Sequence, residues 1–99
     1  MSITVEGFDW DEGNVTKCQK HGVTLEEIEE FFQTQLYVAP DIKHSQDESR
    51  FLAVGRSPTG RPMFVVFTLR NNLIRPISAR YMHMKEAQQY EQTTAQDDQ

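Results

Sequence analysis

Three apolar runs separated by two turn signatures fill the middle of the chain and limit what it can fold into. Residues 50–56 (RFLAVGR), 63–69 (MFVVFTL) and 73–79 (LIRPISA) have the length and the aromatic and β-branched content of strands. Ser57-Pro58-Thr59-Gly60 has the residue types of a turn, and Asn71-Asn72 forms a tight turn that tolerates positive φ. Consecutive strands joined so closely pair as an antiparallel meander. Pro76 cannot donate to a ladder, so the third strand is expected at an edge or bulged near its middle. The chain has 99 residues, enough for one small domain and too few for a large cofactor-binding fold.

Helical periods flank the meander. Residues 3–8 alternate as a short half-buried strand does; Asp9 or Asp11 then caps a helix to about His21, with Trp10, Val15 and Cys18 inward and Gly22 ending it. Thr24-Leu25-Glu26-Glu27 is a capping box, and Leu25, Ile28 and Phe32 continue it as an amphipathic helix over 25–33. Residues 36–40 read as a brief strand and 41–49 as a polar loop. From Met82 the helical period returns with Met84, Ala87 and Tyr90 or Glu91, before a polar tail at 92–99 that lacks the apolar residues to order it. The expected class is α+β: a small curled antiparallel sheet with two N-terminal helices and one C-terminal helix, forming a single domain over 1–91.

Charge is segregated along the chain. Residues 1–49 carry a net minus eight, residues 50–85 a net plus seven with no acid at all, and residues 86–99 minus four. Six of the seven central cations are arginines, whose planar fork suits phosphate. Cys18 is the single cysteine, so neither a disulfide framework nor a cysteine-type metal site is available. His21, His44 and His83 lie far apart without metal-ligand spacing, and no cofactor is expected. Gly55 to Gly60 resembles a phosphate-binding loop only superficially, because Arg61 and Pro62 lead into a strand rather than a helix. There is no run of 18 apolar residues and no leader-type N-terminus, so the expected location is the cytoplasm, with no membrane contact.

An acid-free set of arginines on adjacent strands suits cleavage of RNA. That reaction needs a group to take the 2′-hydroxyl proton, cations to hold the phosphorane and an acid for the leaving oxygen; the nucleophile belongs to the substrate, so no metal is required. Arg56, Arg70, Arg75 and Arg80 are the candidates for charge stabilisation, gathered in a shared anion pocket open to solvent. His83, Lys85, Glu86 and His44 are candidates for proton transfer, while His21 reads as a cation at a helix C-terminus. Arg50, Arg61 and Lys85 are the remaining cations available to bind RNA. Two other readings fit the same composition: a non-catalytic module docking an acidic protein, and arginines paired internally with the acidic first half.

The ordered segments FDWDEGNVTKCQKHGVTLEEIEEFF, HSQDESRFLAVGRSPTGRPMFVVFTLR and LIRPISARYMHMKEAQQYE resemble the BrnT toxins of bacterial type II toxin–antitoxin systems over residues 6–91. That resemblance implies a RelE-like ribonuclease fold, RNA cleavage that arrests growth, and neutralisation by a BrnA-type antitoxin in a heterotetramer that contacts operator DNA only through the antitoxin. It assigns functional roles to Arg56 of VGR, Arg70 of TLR, Arg75 and Arg80 of LIRPISAR, and Glu86 of the following helix. Pro76 and the stretch Tyr81-Met82-His83-Met84 depart from the family pattern; fewer cations there imply a weaker grip on phosphate.

Overall fold

The computed structural model describes residues 6–41 and 48–97. Element order is β1 (Gly7–Phe8), α1 (Glu12–Gln19), α2 (Leu25–Phe31), β2 (Tyr37–Pro40), β3 (Phe51–Arg56), β4 (Pro62–Arg70), β5 (Leu73–Tyr81) and α3 (Met84–Asp97). The strands form one sheet in the order β1-β5-β4-β3-β2. All neighbours are antiparallel except β1, which runs parallel to β5 and makes the sheet mixed rather than wholly antiparallel. The parallel pair arises because α1 and α2 carry the chain from one edge of the sheet to the other, where the meander begins.

Both turns of the meander form for the reasons their residues suggest. Asn71 and Asn72 have φ of 52° and 65°, the left-handed pair that matches the twist of a two-residue hairpin. Gly60, at φ 91°, closes the other turn by donating its N–H to the Ser57 carbonyl at 2.9 Å. A bulge shifts the β4–β5 register between Val66 and Phe67, beside Pro76, which therefore leaves no gap in a regular ladder.

Register divides the sheet into two faces. Ala53, Gly55, Met63, Val65, Phe67, Ile74 and Ala79 face the helices and join Cys18, Val23, Ile28, Phe31, Phe32 and Leu36 in the core. Phe32 meets Phe31 and Phe67 edge-on at 5.4 and 5.1 Å, an arrangement favoured by the ring quadrupoles. Gly55 has no side chain because a Cβ there would come within 2.5 Å of Leu36 Cδ2. The predicted capping box of α2 is present: Thr24 accepts from the Glu27 N–H at 3.1 Å and Glu27 accepts from the Thr24 N–H at 3.2 Å. The Tyr81 hydroxyl donates to the Glu27 carboxylate and so ties the end of β5 to α2.

Several boundaries differ from the sequence reading. α1 stops at Gln19, leaving His21 in the turn after the helix rather than at its C-terminus. The buried residues of α1 are Asn14 and Cys18; Val15 is only partly covered. α3 continues past Glu91 to Asp97, so residues 92–97 are helical rather than a disordered tail. A helix already nucleated by the preceding turns extends at one backbone hydrogen bond per residue, without needing an apolar face. Residues 3–5 of the first predicted strand and 42–47 of the predicted loop lie outside the described residues.

Asn14 joins the helical and sheet layers. Its Oδ1 accepts from the Asp11 N–H at 2.7 Å, and its backbone N–H donates back to Asp11 Oδ1 at 3.1 Å. Its Nδ2 donates to the carbonyls of Asp9 and Pro76, each at 2.9 Å. Asn14→Ala removes the return half of the capping box and strips a buried carbonyl of its donor. The expected loss is about 2–3 kcal/mol of stability, read as a lower urea midpoint at unchanged m-value.

Candidate catalytic face

The sheet face opposite α1 and α2 carries the candidate chemistry. Pairing aligns Val54, Phe64 and Arg80 across β3, β4 and β5, and Leu52, Val66 and Ser78 in the next row. Thr68 and Arg75 form a further row, with Arg50 just before β3. Arg56 shares this face at the opposite end of β3. Strand rise separates the Phe64 and Thr68 rows by about 14 Å, so the arginines fall into two groups.

Arg80 and Arg56 form the first group, beside α3. The Arg80 fork donates to both carboxylate oxygens of Glu86, each at 2.9 Å, and lies 4.7 Å from the centre of the Phe64 ring. Glu86 also accepts the His83 backbone N–H at 2.9 Å, in the first turn of the helix. Arg80 and then this backbone donor hold the Glu86 carboxyl down to about 2. Arg56 donates to the Gly60 carbonyl at 2.9 Å, pairs with Glu91 at 3.3 Å and sits 5.5 Å from the Tyr90 ring centre. Tyr90 in turn meets Tyr37 of β2 edge-on at 6.4 Å.

Between these contacts and the α1–α2 turn lies an open cleft of about 480 Å³. Leu52, Phe64 and Val66 form its apolar floor, while Ser78, Arg80, Glu86 and His21 supply its polar lining. His21 reaches this wall because α1 runs beside the part of β5 that β1 leaves uncovered. Among the described residues no hydrogen bond or ion pair engages the His21 side chain.

The second group lies at the far end of the face. Arg75 pairs with Asp11 at 2.7 Å and with Asp9 at 3.6 Å, and Arg70 with Glu48 at 2.6 Å. Hydrogen bonds from the Asn14 backbone and from Arg75 lower the Asp11 carboxyl; the Arg70 contact lowers that of Glu48. With Lys17 and Arg50, Arg70 and Arg75 border a hollow of about 320 Å³.

The expected shared pocket is therefore replaced by two separate arginine groups, each guanidinium already facing a carboxylate of the same chain. The acids come from outside the acid-free stretch 50–85, Asp9, Asp11 and Glu48 before it and Glu86 and Glu91 after it, so a gap without acids along the chain did not mean one in space. Arg61 lies elsewhere, stacked 3.6 Å from the Tyr81 ring centre on the side facing the helices. Lys85 and His83 are exposed at the start of α3, and His83 is not among the residues that line the cleft beside Arg80. His44 lies outside the described residues. His21, assigned by its sequence position to a helix end, is the histidine placed beside Arg80. Its sequence signals were Gly22 next to it, at φ 87°, and its place in the KHGV stretch of the first segment that resembles the family. Among the described residues no group of three or more His, Cys, Asp or Glu side chains is placed to hold a metal ion.

A family model described as "Ribonuclease toxin, BrnT, of type II toxin-antitoxin system" matches residues 10–86. The chain belongs to the BrnT family. The match runs from the entry to α1 through the first turn of α3, and so includes all four sheet arginines, His21 and Glu86 but not Tyr90 or Glu91. BrnT membership carries ribonuclease function and a protein antitoxin as partner. Neither a search of curated proteins nor one of solved structures returned a match.

The Arg80–Glu86 contact has a defined pH window. A carboxyl lowered on folding stabilises above its unfolded value near 4.5 and loses that contribution as pH falls through the folded value near 2. Titration followed by the Glu86 side-chain carbon in NMR should show its midpoint near 2 in the native chain. In Arg80→Ala the midpoint should move up toward the ordinary carboxyl range.

Proposed function

We propose that this BrnT chain is an endoribonuclease that cleaves RNA without a metal ion, arrests growth, and is held inactive by a BrnA-type antitoxin. The observation that carries this reading is Arg80, whose guanidinium stands at the wall of an open cleft with an apolar floor. A nucleotide laid on Leu52, Phe64 and Val66 brings its phosphate to the Arg80 fork. The substrate's 2′-hydroxyl attacks phosphorus, the bond to the 5′ oxygen breaks, and the products are a 2′,3′-cyclic phosphate and a 5′-hydroxyl end. Arg80 stabilises the charge that builds on the non-bridging oxygens.

The internal ion pairs set the order of events. Exposed pairs of this kind contribute little stability because water and salt screen them, so a phosphate can take the place of Glu86 on Arg80. While it stays on the Arg80 fork, Glu86 is held down to about 2 and is a poor proton acceptor at neutral pH. Its role is to keep the Arg80 fork extended until substrate arrives. Arg70, Arg75 and Arg50 lie at a distance suited to phosphates farther along the same strand.

The pairing of each sheet arginine with a carboxylate also favours a second reading, in which these cations are structural and RNA does not bind the face. Purified full-length chain should degrade unstructured RNA in EDTA, and induction without antitoxin should halt growth; Arg80→Ala should abolish both. RNA affinity of the wild type should also fall steeply with salt, as counterion release requires. Intact RNA from folded protein, or affinity indifferent to salt, supports the structural reading instead.

A further inference from the structure

We infer that His21 is the catalytic proton acceptor of the Arg80 cleft. This rests on the ribonuclease reading above and names the group that reading lacks. Cleavage through the 2′-hydroxyl needs a base beside the phosphate and across from the cation that holds it. Four side chains in or near the cleft can exchange protons or carry charge: Arg80, Glu86, His83 and His21. Arg80 is always protonated, and Glu86 has both carboxylate oxygens engaged by the Arg80 fork and one of them also by the His83 N–H. His83 is exposed just before α3 and is not among the residues that line the cleft. His21 lines the cleft with Arg80 and Ser78 and is exposed, and no partner among the described residues occupies its ring nitrogens.

The placement follows from the fold. α1 ends at Gln19, and Gly22, at φ 87°, turns the chain so that Val23 enters the core while His21 stays outside. The turn lies beside β5, opposite the helix that carries Glu86. The charged groups bordering the imidazole are Arg80 of β5 and Glu86 of α3, with Lys20 adjacent in the chain. A phosphate held on Arg80 thus lies between the guanidinium and the imidazole.

The step balances within this set and water. Neutral His21 takes the 2′-hydroxyl proton as the oxygen's electron pair forms the bond to phosphorus. The bond from phosphorus to the 5′ oxygen breaks, its electron pair stays on that oxygen, and water donates the proton. The imidazolium returns its proton to the hydroxide left behind.

Steady-state cleavage of an unstructured oligoribonucleotide in EDTA tests this with wild type, His21→Gln and His21→Gly. In His21→Gln, kcat should fall by about 10²–10⁴-fold with KM within about twofold. Free imidazole should restore part of kcat to His21→Gly and none to Arg80→Ala. Circular dichroism checks that the variants fold. An active wild type matched by His21→Gln, or a His21→Gln defect confined to KM, overturns the role of His21 and leaves the ribonuclease reading standing. An inactive wild type overturns both.

Discussion

The docking of α1 along the exposed length of β5, fixed by the Asn14 amide, is the contact on which the rest of the arrangement depends. β1 pairs with only two residues of β5, Leu73 and Ile74, and leaves the carbonyls beyond them facing outward. One Asn14 nitrogen satisfies the Pro76 carbonyl and the Asp9 carbonyl while the same side chain caps its own helix. Three consequences follow from that single position. The sheet edge is closed against pairing with another chain, the N-cap Asp11 is set against Arg75, and the turn after α1 is set against Ser78 and Arg80.

Arginine chemistry on the open face is governed by competition. Each sheet guanidinium faces a carboxylate, yet the pairs are at least partly exposed, so they hold geometry more than they add stability. Glu86 and Glu91 are supplied by α3, which makes the C-terminal helix the source of the anions nearest the cleft. On the proposed ribonuclease reading, a substrate phosphate exchanges one anion for another on a fork that is already extended. Preorganisation of this sort reduces the ordering cost at the moment of reaction.

The two ends of the face differ in what surrounds the cations. Beside Arg80 the floor is apolar and a histidine is present. Beside Arg75 the acids Asp9, Asp11 and Glu48 crowd the basic side chains, and among the described residues there is no comparable apolar floor. On the proposed ribonuclease reading, the chemistry falls to the first end and electrostatic contact with a longer strand to the second.

Local signals in the sequence determined much of the architecture. The capping box at Thr24 and Glu27, the paired asparagines of the hairpin, the turn at Gly60 and the bulge beside Pro76 all depend on the conformational limits of a few neighbouring residues, which operate before any tertiary contact forms. The family likeness was equally legible, because it lies in ordered motifs along the chain. What only the tertiary structure decided was which charges meet. The register puts Arg56 and Arg80 on one end of a face and Arg70 and Arg75 on the other, and the helices bring Asp11, Glu86 and Glu91 to them. Glu48 reaches Arg70 in the same way, from just before β3. Likewise, nothing local to His21 points to Arg80, since they are joined only by the packing of α1 on β5. Segregation of charge along the chain is a one-dimensional property; a site is made by side chains from distant segments meeting in space.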